Sequence, residues 1–422
     1  VAVIDTGITN HADLNANILP GYDFISDTFV SRDGNGRDSN PNDEGDWNPV
    51  ANECYSGSPV SNSSWHGTHV AGTVAAVTNN RTGVAGTAFG AKVVPVRVLG
   101  RCGGYTSDIA DAITWASGGT VSGVPANANP AEVINLSLGG GGTCSSTYQT
   151  AINGAVGRGT TVVVAAGNSN TNVSSSVPAN CPNVIAVAAT TSAGSRASFS
   201  NYGTGIDISA PGQSILSTLN TGTTTPGSAS YASYNGTSMA APHVAGVVAL
   251  MQAAATSPLT PAAVESTLKS TARPLPGSCS GGCGAGIANA DGAVTAVQGG
   301  GPDPDPGTQT YTNGTDVSIP DNNSTGVSST ITVSGRTGNA PSNAQVAVNI
   351  VHTYIGDLIV DLIAPDGSVY VLHNRSGGSA DNINQTYTVN LSSEALNGSW
   401  RLRARDRASI DTGYINSWSI TF

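Results

Sequence analysis

Charge is scarce in this chain: charged side chains make up 10% of the 422 residues, and aromatic ones only 5%. What charge there is leans acidic, with a net of −11, which excludes a polyanion-binding surface for nucleic acid or anionic membrane. Long apolar runs are also missing, since Val162 to Ala166 and Val244 to Met251 fall far short of the roughly 18 residues a membrane span needs. No paired CxxC or Cys/His spacing of a zinc site occurs among Cys54, Cys102, Cys144, Cys181, Cys279 and Cys283. Nor does a basic n-region or cleavage site precede the opening Val1-Ala2-Val3-Ile4, so any signal or pro-segment is expected to lie outside this numbering.

What remains is a chain that can fold. Its apolar fraction of 38% excludes wholesale disorder, and its length allows one large domain plus a smaller one. An even cysteine count beside 53 glycines and abundant Ser, Thr and Asn reads as disulfides in an exported protein. Short β-branched runs (Val1 to Ile4, Val93 to Val98, Val133 to Leu138, Val162 to Ala166, Val184 to Ala189) alternate with helical patterns at His66 to Val77, Thr106 to Ala116, Ser145 to Gly157, Ser238 to Ala255 and Pro261 to Ser270. This predicts an α/β domain over residues 1–298, a doubly wound parallel sheet whose chemistry lies at the carboxyl ends of its strands. The Gly/Pro/Asp run at 299–310 lacks an apolar anchor and reads as a linker. Beyond it, residues 311–422 show strand-like alternation between Gly, Asn and Asp turns and no helical pattern, which predicts an all-β sandwich.

Three segments carry chemistry. Val3-Ile4-Asp5-Thr6-Gly7 ends the first strand in a carboxylate, and His66-Gly67-Thr68-His69-Val70-Ala71-Gly72 opens a small-residue helix with an imidazole. Gly236-Thr237-Ser238-Met239-Ala240-Ala241-Pro242-His243 sets a hydroxyl at another helix start, with Pro242 expected in the first turn. A serine is a poor nucleophile until an imidazole takes its proton, and the imidazole needs a carboxylate to hold its tautomer and stabilise its cation. Asp5, His66 and Ser238 supply all three in the order Asp, His, Ser, the order known from subtilisin and distinct from those of chymotrypsin and the α/β-hydrolases.

On these motifs the chain resembles the subtilisin-like serine proteases over roughly residues 1 to 298. The resemblance implies that Asp5 orients, His66 is general base then acid, and Ser238 attacks the scissile carbonyl. His69 and His243 fall at non-catalytic positions. Asn168, after Ala165-Ala166-Gly167, matches the family's oxyanion residue, with the Ser238 backbone N–H as second donor. Gly103, Gly104 and Tyr105 would line one side of a substrate cleft and Ser137, Leu138 and Gly139 the other, with Ala166 and Gly167 walling the primary pocket. No acidic residue occurs from Ala186 to Ser195, where basic-specific convertases carry a pocket carboxylate, so apolar or medium-sized P1 side chains are expected.

The resemblance also implies structural calcium, held by Asp13, the Asn80 side chain and the carbonyls of Val77, Thr82 and Val84. A second candidate is the oxygen-rich run from Asp33 through Asp38 to Asp43, which lacks EF-hand spacing. The tail resembles the P-domain of proprotein convertases and secreted bacterial subtilases, jelly-roll-like, through Gly356-Asp357-Leu358, Leu396-Asn397-Gly398-Ser399-Trp400 and Asp406, and its Asp357, Asp361, Asp406 and Asp411 are a further ion candidate.

Three functions compete: a secreted, monomeric, broad-specificity endopeptidase acting on protein and peptide substrates and bound in precursor form by its own pro-segment; a kexin- or furin-like processing protease selective for basic sites; and an inactive adhesin-like binding protein. Cysteine pairing follows from the expected sheet. Cys144 and Cys181 leave the carboxyl ends of neighbouring strands, Cys54 and Cys102 sit in loops on the same face, and Cys279 and Cys283 close a tight glycine loop.

Overall fold

The computed structural model describes residues 1–300, 309–334, 336 and 338–422, with backbone only at 299 and 300. It divides into two compact units, Val1–Gly300 and Gly301–Phe422. Most of the expected linker, 301–308, lies outside the described residues.

The first unit is built on seven parallel strands: β1 Ala2–Asp5, β2 Tyr22–Asp23, β3 Val94–Arg97, β4 Val133–Leu136, β5 Thr161–Ala165, β6 Ile185–Thr190 and β7 Ile208–Pro211, in the order β2-β3-β1-β4-β5-β6-β7. Side chains alternate between two cores, as a sheet covered on both faces requires. Ala2, Ile4, Val94, Val96, Ile134 and Leu136 face helices α2 (Thr106–Ala116) and α3 (Ser146–Gly157). Val1, Val3, Val133, Val163 and Val187 face α1 (His66–Ala75), α4 (Thr237–Ala254) and α5 (Pro261–Ser270).

Small residues let α1 sit close to its neighbours. A Cβ on Gly67 would lie 2.2 Å from the Gly7 carbonyl oxygen, and one on Gly72 would lie 2.1 Å from Thr218 Oγ1. That second neighbour belongs to an antiparallel hairpin, β8 Ile215–Asn220 and β9 Ala229–Tyr234, which the sequence pattern did not announce. Ser217 Oγ and Thr218 Oγ1 donate to the His69 and Thr68 carbonyls (both 2.8 Å), clamping the helix whose first residue is His66.

One helix expectation is corrected. Helix α4 begins at Thr237, so Pro242 is its sixth residue and stands inside it rather than in the first turn. A proline there cannot donate to the carbonyl four residues back, that of Ser238. The hydroxyl of Ser137 donates to it instead, at 2.8 Å.

All three cysteine pairs form as expected: Cys54–Cys102, Cys144–Cys181 and Cys279–Cys283. No helix among the described residues is long and apolar enough to cross a membrane.

The second unit is two antiparallel sheets around one core. One runs β10 (Thr310–Asn313), β18 (Gly413–Thr421), β13 (Ala344–His352) and β16 (Ile383–Val389), with β11 (Val317–Ile319) also on β18. The other runs β12 (Val327–Val333), β17 (Gly398–Asp406), β14 (Leu358–Ile363) and β15 (Val369–Asn374). Inward residues such as Val346, Ile350, Leu362, Trp400 and Trp418 fill the space between. All four of the tail's candidate ion ligands have other partners: Asp357 faces Arg375, Asp361 takes Arg403 and Arg405, Asp406 takes His352, and Asp411 takes Thr353.

Candidate active site

Asp5 ends β1 at its carboxyl edge and is wholly buried. Its Oδ1 accepts from the Thr6 N–H (2.7 Å), and its two oxygens lie 2.8 and 3.0 Å from His66 Nδ1. His66 follows Trp65, whose left-handed backbone (φ 50°) turns the chain into α1 and whose indole N–H donates to the Gly222 carbonyl. The imidazole is partly accessible, with 22% of its side chain exposed. Burial works against its cation, yet the Asp5 carboxylate, helped by Asp46 and Asp43, outweighs it and raises the His66 pKa above its ordinary value.

Ser238 is the second residue of α4, and its Oγ donates to the Ser137 carbonyl at 3.1 Å. No hydrogen bond joins it to His66 among the described residues, a looseness common in catalytic groups without substrate. Asn168 follows β5, and its Oδ1 accepts from both the Thr237 N–H (2.8 Å) and Thr237 Oγ1 (3.0 Å). With the amide oxygen tied down, Nδ2 is left as a free donor, 3.5 Å from where a Cβ on Gly236 would lie. The Ser238 N–H, in the first turn of an 18-residue helix, has no intrahelical acceptor and is a second donor at the same place.

Two cavities flank this group. The first, of about 540 Å³, lies between the Ser137–Gly142 segment and the Ala165–Ser169 segment, with Asn168, Thr237 and Ser238 in its wall. Ser137, Leu138, Gly139 and Gly167 line it, whereas Ala166 is wholly buried and does not. None of its lining residues is charged. The second, of about 440 Å³, lies on the His66 side and is lined by Leu99, Gly100, Gly103 and Ser137 together with the loop that carries Asp46. Gly103 spends its N–H and carbonyl on Gly100, so Gly104 is the freer part of that edge. Tyr105 is half-exposed and its hydroxyl donates to Asp27.

The metal candidates separate. Asp13 is wholly buried with no ion-pair partner among the described residues; it accepts from Asn80 Nδ2, the Val84 N–H and Tyr231 OH. The carbonyls of Val77, Thr82 and Val84 take no donor among those residues and are hard oxygen ligands, while Asn80 turns its Nδ2 to Asp13 and its Oδ1 accepts from the Thr82 N–H. Asp33, Asp38 and Asp43 are not gathered: Asp33 pairs with Arg97, Asp38 accepts from the Asn40 N–H and Asn35, and Asp43 accepts from Thr6 Oγ1 (2.6 Å). Burial pushes the Asp43 carboxyl up to about 7.

Several side chains hold the site in ways that the sequence did not announce. Thr237 fixes the Asn168 amide, and Ser137 Oγ holds the Ser238 carbonyl. Thr6 Oγ1 donates to Asp43 and accepts from the Gly67 N–H, tying β1 to α1. Thr237 and Thr6, next to the nucleophile and carboxylate candidates, had a local reason to be singled out, and Ser137 was expected to line the substrate cleft but not to hold the Ser238 carbonyl.

Residues 1–303 match the family model described as the subtilase family. The chain belongs to the subtilase family. Residues 341–422 match the proprotein convertase P-domain. The subtilase chain is 80% identical over 297 residues to the extracellular protease of Xanthomonas campestris pv. campestris, covering 70% of this chain and 51% of that protein, about half its length. It is 46% identical over 440 residues to the extracellular basic protease of Dichelobacter nodosus, covering 100% of this chain and 72% of that protein. Among solved structures, proteases from Pseudoalteromonas arctica PAMC 21717 share 59% identity with a TM-score of 0.69, over 70% of this chain and 89% of that one.

Proposed function

We propose that this subtilase is an exported serine endopeptidase that cleaves protein and peptide substrates through Asp5, His66 and Ser238. The observation that carries the reading is the Asp5–His66 pair at one side of Ser137 with Ser238 at the other, beside an Asn168 amide whose oxygen is already committed. Turning from the Ser137 carbonyl, Ser238 Oγ attacks the scissile carbonyl carbon while its proton passes to His66 Nε2. Asp5 holds Nδ1–H and stabilises the imidazolium. The oxyanion receives hydrogen bonds from Asn168 Nδ2 and the Ser238 N–H, donors that need no reorganisation. His66 then gives its proton to the leaving amine, and water enters by the reverse proton path to release the acyl group from Ser238.

The uncharged first cavity, beside the oxyanion donors, takes the P1 side chain and favours apolar or medium-sized residues. A processing protease selective for basic P1 would need a carboxylate there. The three disulfides, and relatives described as extracellular, support export. Ca²⁺ fits the Asp13 site, where Asn80 and the carbonyls of Val77, Thr82 and Val84 would complete its oxygen shell; its contribution is structural. The division near residue 300 makes the first unit catalytic and the second an appended β domain.

Treatment with a sulfonyl fluoride followed by peptide mapping tests the nucleophile. Modification of Ser238 with parallel loss of peptidase activity is expected; modification elsewhere, or activity in fully labelled protein, overturns the assignment.

A further inference from the structure

The second cavity holds a carboxylate that touches no reacting atom in the proposed reaction and acts there only through its charge on His66. Asp46 lines it, and it is the one carboxylate among the lining residues, none of which is Lys or Arg. Its oxygens accept from the Ser64 N–H (2.6 Å) and Ser64 Oγ (2.7 Å), which fix the carboxylate two residues before His66. Each carboxylate oxygen can accept more than one hydrogen bond, so this leaves capacity for another donor. No cationic side chain lies within ion-pair distance of Asp46 among the described residues; Arg32, which feels its charge, donates to the Trp47 carbonyl, and Arg101 is paired with Glu53. The wall is anchored: Cys54 is bonded to Cys102, so the loop that carries Cys54 is fixed to the Gly100–Gly103 turn that forms the opposite side.

An extended substrate alternates its side chains between opposite sides. With P1 in the uncharged cavity, the adjacent residue points to the other. The preceding residue, P2, lies between the Gly103–Tyr105 and Ser137–Gly139 edges, and the feet of both edges, Gly103 and Ser137, line the Asp46 cavity. Resting on the peptidase reading above, we infer that Asp46 makes the P2 subsite selective for a cationic side chain, Lys or Arg, while P1 stays uncharged. The enzyme then prefers to cut one residue after a basic position, a selectivity at P2 that differs from the indifference of a broad endopeptidase and from a processing enzyme's requirement for a basic P1.

Matched tetrapeptide anilides with Phe at P1 and Lys, Arg, Gln, Leu or Glu at P2 test this on the full chain, with internally quenched peptides carrying the same series at P1′. The expected result is a kcat/KM preference for Lys or Arg over Gln at P2 of roughly fivefold, the size of a partly exposed ion pair. It should shrink at high salt, vanish in Asp46→Asn and persist in Glu44→Gln. A flat P2 series on turned-over neutral peptides, a preference that survives Asp46→Asn, or one found at P1′ overturns the inference and leaves the peptidase reading standing. No turnover of any peptide overturns that reading and this inference together.

Discussion

Asn168 donates usefully only because its other end is held. Replacing it by Ala should lower kcat by about 10²–10³-fold with little change in KM, the known cost of losing such an amide in subtilisin. Thr237→Val keeps the N–H bond to Oδ1 but removes the hydroxyl, so a smaller loss confined to kcat is expected in the same steady-state assay. His66 must be neutral to act as base, and its pKa is raised, so the acid limb of kcat/KM should lie above the ordinary imidazole value. Asp46→Asn removes one stabiliser of the imidazolium, and the limb should move to lower pH; a pH–rate profile that moves upward or stays fixed contradicts this. At this scale the sequence singled out Asp5, His66, Ser238 and Asn168 from their own motifs, and the structure sets Asp5 on His66 and Asn168 on the Thr237 that precedes Ser238. Asp46 and Asp43 were not, because their contacts with the His66 region are made by a long loop folding back, which no spacing rule reports.

Elements were legible where periodicity is strong. The β-branched runs of β1, β3, β4, β5 and β6 and the small-residue helices appear within a residue or two of their expected bounds. The hairpin β8–β9 escaped because β8 buries polar residues, Ser217, Thr218 and Asn220, and β9 alternates Ala, Ser and Tyr, so neither strand shows an apolar period of two. Pro242 was misplaced because the helix start was read from the serine instead of from Thr237; a freed carbonyl satisfied by a distant Ser137 hydroxyl is a tertiary fact. The disulfides join elements at different reach. Cys54–Cys102 and Cys144–Cys181 span 48 and 37 residues, while Cys279–Cys283 spans 4. Chain-entropy reasoning gives about 4 kcal/mol for each long loop and about 2 kcal/mol for the short one. Serine replacement of each pair, followed by urea unfolding, should therefore reduce stability most for the two long loops, and an equal or larger loss at Cys279–Cys283 would contradict the ranking.

For the whole molecule, stability and activity meet at the metal loop and at the triad. An ion held only by the folded state stabilises it by mass action, so chelation should shorten the half-life at elevated temperature. Asp13→Ala should shorten it already and respond less to chelator; a parent protein indifferent to chelation contradicts the calcium site. The division into an α/β unit and a β unit was readable from the change in residue pattern near 299, since parallel sheets with two covered faces and antiparallel sandwiches leave different periodicities. Whether Ser238 is the nucleophile of a peptidase is decided by casein hydrolysis by Ser238→Ala, measured beside its melting temperature. Loss of nearly all turnover with an unchanged melting temperature is the predicted result, and turnover retained by the folded variant would contradict the account.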